Sequence, residues 1–235
     1  DIKFYIEAKK TLFDNIDIIP KPTKQSFIFL MTNLLSYLLR INKDEIIEKE
    51  RYELIKYMFE KDLYIFPGND VLPLGLYRNA FLLSINSGDF AFSNTMLEKH
   101  INYLHKRLIM PYKQYGYALI DFHKRDFEHS LEHLQKIELH EHSLKLDYRF
   151  LTSKLYFELG YWDSAFSFIE SFRKFLSENI NMSTSLKEQI LGYINYYTEV
   201  LRIRTDSKKE DITYLKKRLE NEHLTEGHSW LMEKI

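Results

Sequence analysis

The sequence predicts an all-α fold, a right-handed helical-repeat solenoid of about five antiparallel helix pairs, and three observations predict it. The spellings Gly88-Asp89-Phe90, Arg125-Asp126-Phe127 and Gly160-Tyr161-Trp162 each end one apolar helical stretch and open another, 37 and 35 residues apart. A period near that length with a turn-then-aromatic signature is what stacked helix-turn-helix units leave in a chain. Gly (7) and Pro (5) are scarce among 235 residues, while 17 Tyr and 17 Phe supply core material, so short loops should join the helices. No stretch sustains the alternation of a half-buried strand.

The elements follow in order. Residues 1–15 read as a lone amphipathic helix. Residues 23–42 and 45–61 form a degenerate helical pair separated by Asn42-Lys43-Asp44, with Asp44 as N-cap. Residues 62–73 are irregular, with Pro67-Gly68-Asn69-Asp70 as a turn. The clearest repeats are 74–110, 111–145 and 146–180. Ser185-Leu186-Lys187-Glu188 has capping-box spacing and opens a helix to about Arg204. Asp206 or Ser207 caps another to about Glu222, and Ser229 to Ile235 carries Trp230, Leu231, Met232 and Ile235 at helical spacing. Residues 185–235 thus read as capping helices closing one continuous domain over 1–235.

Within the repeats, five residues before each turn residue stands an aliphatic side chain (Leu83, Ile120, Leu155), and three before it a large apolar one (Ile85, Phe122, Phe157). Two past it comes the ring of Phe90, Phe127 or Trp162, and nine past it Leu97, Leu134 or Ile169. Five past it comes a small residue, Ser93, Ser130 or Ala165. Two antiparallel helices approach closely only where one side chain is small. A ring beside the turn buries on the order of 150–250 Å² and pins the pair.

These residues resemble the tetratricopeptide repeat (TPR) family, whose motif has Gly-Asp-Tyr or a close variant at the interhelical turn and a small residue five positions later. The small residue of the family's first helix is matched by Ala118 and Ser153, whereas Phe81 departs from it. Its early aromatic is matched by Tyr77, with Gln114 and Arg149 in the other copies, and its terminal Pro is absent. The resemblance covers mainly 74–180, and with its C-terminal cap the chain is similar to bacterial TPR proteins without assigned function. It implies a noncatalytic scaffold or adaptor that binds a protein or peptide on a concave face lined by first helices. Carried over residue by residue, that face is Arg78, Leu82, Asn86, Tyr115, Leu119, His123, Phe150, Lys154 and Glu158, with Phe122 and Phe157 at its base. Such a groove suits an extended peptide or amphipathic helix. The competing reading has these apolar stripes packed against neighbouring helices. A carboxylate clamp of the kind some TPR domains use is incomplete: Arg78, Asn79, Asn86 and Lys154 offer donors, but Tyr115 and Leu119 occupy the intervening repeat.

Other chemistries find little material. The chain has no Cys, which removes disulfides and thiolate chemistry. His129 and His133 share a helix face and His140 and His142 flank Glu141, but a zinc site needs three or four converging ligands, so no metal is expected. No glycine-rich phosphate loop or nucleophile setting is present, and the Glu210-Asp211 pair sits at a helix start. No enzyme activity and no cofactor are expected. The balance of 33 Lys+Arg against 34 Asp+Glu gives no net pull toward nucleic acid. An RNA-binding helical-repeat protein is the alternative, through Arg202, Arg204, Lys208, Lys209, Lys216, Lys217 and Arg218, a run interleaved with acids.

The apolar stretch Phe27 to Ile41 is broken by Thr32, Asn33, Ser36 and Arg40 and falls short of the ~20 residues of a membrane span. It reads as a helix buried on most sides. A cytoplasmic location is expected, although the chain opens on Asp1 and is compatible with an upstream signal or sensor output domain. The Trp230-Leu231-Met232 segment either caps the last repeat or folds into the groove.

Overall fold

The computed structural model describes residues 2–41, 44–65, 68, 71–139, 142–180, 182–205, 212–221 and 227–235. Among these the regular structure is entirely helical. Asn42, Lys43, the Pro67, Asn69 and Asp70 of the expected turn, His140, Glu141, the Asp206 and Ser207 caps, Lys208 to Asp211 and Glu222 lie outside the described residues. The chain divides into two compact units, Asp1–Gly116 and Tyr117–Ile235.

The first unit holds α1 (Ile2–Asp14), α2 (Lys21–Ile41), α3 (Glu45–Glu60), α4 (Leu74–Asn86), α5 (Phe90–Glu98), a 3-10 turn (His100–Tyr103) and the first part of α6 (Lys106–His123). Asp44 caps α3 by accepting the Ile46 N–H at 2.8 Å, as its position suggests. Arg51 donates to Ser36 and Gln25 to the Ile65 carbonyl, and these nested pairs make α2 and α3 an antiparallel hairpin. Helix α1 lies along it: Tyr5 and Lys9 meet Glu50 at 3.1 and 2.5 Å, and Phe13 packs edge-on to Tyr57. Phe59 stacks on Tyr64 and meets Phe92 and His100 edge-on, joining α3 to α5.

The second unit holds the rest of α6, α7 (Phe127–Gln135), α8 (His142–Glu158), α9 (Trp162–Glu178), α10 (Thr184–Thr205), α11 (Ile212–Glu220) and α12 (His228–Lys234). Helix α6 starts at Lys106, ahead of the 111 start read for its repeat, and carries Pro111 in its second turn. The cap of α10 is Ser183, whose Oγ accepts from Leu186 N–H, and not Ser185, which lies inside the helix. Phe150, Phe157, Phe172, Tyr193, Tyr197 and Trp230 form the centre of this unit's core.

The three turns share one geometry. Gly88, Arg125 and Gly160 stand in the left-handed region at φ 70°, 64° and 71°. The next residues, Asp89, Asp126 and Tyr161, each take φ between −82° and −90° with ψ between 66° and 72°. Their N–H groups reach back to the carbonyls of Ser84, Asp121 and Tyr156, all at 2.9 Å, while those of Gly88, Arg125 and Gly160 reach Ile85, Phe122 and Phe157. This pair of bonds is the Schellman closure, which satisfies the last carbonyls of a helix. The same residue that finishes it begins the next helix, so no linker intervenes.

Contacts nest about each turn, which makes each pair antiparallel. Ser84 and Ser93 hydroxyls lie 2.7 Å apart and Tyr77 donates to the Met96 carbonyl. Phe122 meets Phe127, and Ser130 donates to the Ala118 carbonyl at 2.6 Å. Phe157 meets Trp162, and Phe150 meets Phe172. Ser93, Ser130 and Ala165 are all fully buried at these crossings. The rings of Phe90, Phe127 and Trp162 are only half-buried, because they shield the turn from its edge.

Candidate functional site

Each trio of expected binding residues recurs every fourth position and so lies along one face of its helix. Arg78, Leu82 and Asn86 are on α4, Tyr115 is on α6, and all four belong to the first unit. Leu119 and His123 on α6 and Phe150, Lys154 and Glu158 on α8 belong to the second. Exposure rises toward the turn. Tyr115, Leu119 and Phe150 are buried, Arg78, Leu82, Lys154 and Glu158 half-buried, and Asn86 and His123 exposed.

Phe150 is enclosed by Phe172 at 5.4 Å and Tyr193 at 4.8 Å, both edge-on, so it acts in the core of the unit. Phe157 is enclosed likewise, by Trp162, Tyr197 and Trp230. Tyr197 donates to the Ser153 carbonyl at 2.6 Å and Ser153 shares a 2.8 Å hydrogen bond with Tyr193, which fastens α10 to α8. Burial pushes the Tyr197 hydroxyl far above its ordinary pKa, so it stays a neutral donor.

Helix α12 takes up the end of this face. Trp230 Nε1 donates to Glu158 Oε1 at 2.8 Å, and Lys234 Nζ meets the same oxygen at 2.5 Å. The indole stacks on Tyr197 and stands edge-on to Phe157. A buried indole requires an acceptor for its N–H, and Glu158 supplies one. Gly227 makes the approach possible, since a Cβ there would overlap the Tyr193 ring and its φ is 80°. His228 bonds to the Leu219 carbonyl and Arg204 to the Lys234 carbonyl, tying α12 to α11 and α10.

His123 has a pKa below its ordinary value, first because surrounding protein desolvates it and then because Lys154 repels its charge; Glu233 of α12 acts the other way. The α12 apolar residues are legible in the sequence, but their partner is not, because Glu158 and Trp230 are 72 residues apart. The one local signal was a Trp that a small terminal helix had to bury.

Among the described residues no three His, Asp or Glu side chains converge to hold a metal. His129 pairs with Asp126 at 2.9 Å and His133 with Asp121 at 3.6 Å, two separate two-residue contacts. Asp89 serves the fold: it caps α5 through the Phe92 N–H and receives Tyr52 and Lys56. Arg218 of the basic run is paired with Glu199 at 3.0 and 3.3 Å and lies over Tyr196 and Tyr214. Among the described residues no helix is long and apolar enough to cross a membrane.

No protein-family model, curated protein or solved structure matches the chain. Across the described residues the chain is all-helical and built on recurrent helical hairpins.

Proposed function

We propose that this chain is a noncatalytic binding scaffold whose hairpins stack in the right-handed TPR manner, and whose first-helix face holds a helix or peptide of another protein. The observation that carries the reading is the seat of α12. A seven-residue helix anchored by Trp230 lies on Phe157 and Glu158, both first-helix residues. A face that accepts a short helix from its own chain has the apolar floor and fixed polar partner that a groove for amphipathic helices needs. Repetition of one turn geometry supports stacking, because units that share a closure can share an interface.

Photocrosslinking from position 86 or 154 in cells of origin tests this, with the captured protein then purified and titrated directly. Binding should fall at least ~10-fold, about 1.4 kcal/mol, with Lys154→Glu, and hold with Glu170→Lys on the exposed side of α9. Loss with Glu170→Lys alone would move the site to the second helices. Tight, salt-sensitive retention of random RNA would replace a protein partner with nucleic acid.

A further inference from the structure

We propose that the exposed side of α2 is a self-association surface, on which a second copy of this chain lays its own α2 in antiparallel orientation. One side of α2 is spent within the unit, with Ile28, Met31 and Leu35 buried. The other side presents Phe27, Leu30, Leu34, Tyr37 and Ile41, which are 48, 63, 41, 59 and 67 % exposed. Their steps of three, four, three and four residues are the seam of a coiled coil, the spacing that lets side chains of one helix drop between those of a facing helix. From Gln25 to Leu39 the helix carries no charged residue at all. A helix apolar on both sides is a helix covered on both sides, and the monomer covers one.

The charges around the stripe choose the occupant. Lys21 and Lys24 stand at the start of α2, and Asp44, Glu45 and Glu48 stand at its far end, where the hairpin turns into α3. Leu34 is the middle of the stripe. Two copies crossing antiparallel there bring each lysine pair to the other's acidic end, and the helix dipoles oppose favourably. Parallel copies would set lysines on lysines and carboxylates on carboxylates. A membrane surface would call for a polar face rich in Lys and Arg along the helix, which this run lacks.

The area fits the same occupant. Five side chains each leaving roughly 100 Å² in water give on the order of 500 Å², over half of the ~800 Å² each partner contributes to a standard interface. Ile46, 68 % exposed beside the acidic end, and Asn33 extend the patch.

Because the chain has no Cys, introduced thiols report the register without interference. Under mild oxidation Leu34→Cys should give a covalent dimer and Phe27→Cys should not, since antiparallel copies separate the two Phe27 positions. Sedimentation should show a dimer that dissociates toward low concentration and that Leu34→Glu converts to monomer with helix content unchanged. If that variant loses helix content, Leu30→Lys takes its place. Lys21→Glu with Lys24→Glu should weaken the dimer several-fold, and adding Glu45→Lys with Glu48→Lys should restore it. A monomer at every concentration would overturn the proposal, as would crosslinking through Phe27→Cys, failure of the charge swap to restore pairing, or a monomer that pellets with anionic vesicles unless Leu34 is changed.

Discussion

Arg125 does the work of a glycine. It sits at φ 64° between two sister turns whose corresponding residues are Gly88 and Gly160. A Cβ in the left-handed region crowds the following carbonyl, at a cost of about 1–2 kcal/mol, partly offset by the chain entropy that glycine would lose. Arg125→Gly should therefore stabilise the second unit by about 0.5–1 kcal/mol in a denaturant titration. Gly88→Ala should lose a similar amount, and purely through backbone conformation, since nothing lies within 4 Å of the added methyl.

His100 is a second residue with a measurable signature. It is 1 % exposed, bonded through Nδ1 to Tyr64 at 2.8 Å, and its pKa is lowered to about 4 by burial, with Lys99 adding to the effect and Asp62 opposing it. Below the ordinary histidine value the unfolded chain takes up a proton that the folded chain refuses. Stability should fall as pH drops from about 6.5 to about 4 and then level off, a loss on the order of 3 kcal/mol. Circular dichroism melts across that window should show the slope, and His100→Asn, which keeps an acceptor with no proton to gain, should flatten it.

At the scale of elements, the close approaches decide what each helix tolerates. Gly116 on α6 faces Leu97 and Phe81, and a Cβ there would overlap the Leu97 methyl. Gly116→Val should cost about 2–3 kcal/mol even though Val is the better helix former, because the helix must back away from α5. Expression and thermal melting of the variant check this. Hairpin spacing was legible because ring, small residue and turn recur locally, within ten residues of each bend. The Schellman closure at Asp62, φ 49°, was not, since Lys61-Asp62 has neither glycine nor a following helix to mark it. Nor was the difference between Lys154 and Phe150: both lie on one helix face, and Phe172 of α9 together with Tyr193 of α10 closes over only one of them.

At the scale of the molecule, the second unit depends on its last seven-residue helix. Removing residues 227–235 strips Trp230 and Leu231 from Phe157 and Tyr197 and leaves Glu158 beside an opened apolar surface. Loss of a buried Trp costs about 3–5 kcal/mol, so the truncated chain should melt earlier and tend to aggregate. A chain that kept its melting temperature and bound its partner more tightly would show α12 to be a removable plug. The sequence offered both roles for this segment, because a cap and a plug share one composition. Their difference is the identity of the surface beneath, and that surface is assembled from α8 and α10 residues 40 positions apart, with Trp230 itself 72 residues from its Glu158 acceptor.

Phe157 has one more consequence. The chain has two tryptophans, and both stand edge-on to this ring, Trp162 at 5.5 Å and Trp230 at 5.2 Å. Indole emission therefore comes from a single spot in the second unit. An unfolding curve followed by that light would describe α8, α9 and α12 and stay silent about α1 to α5, whose rings are all Phe and Tyr.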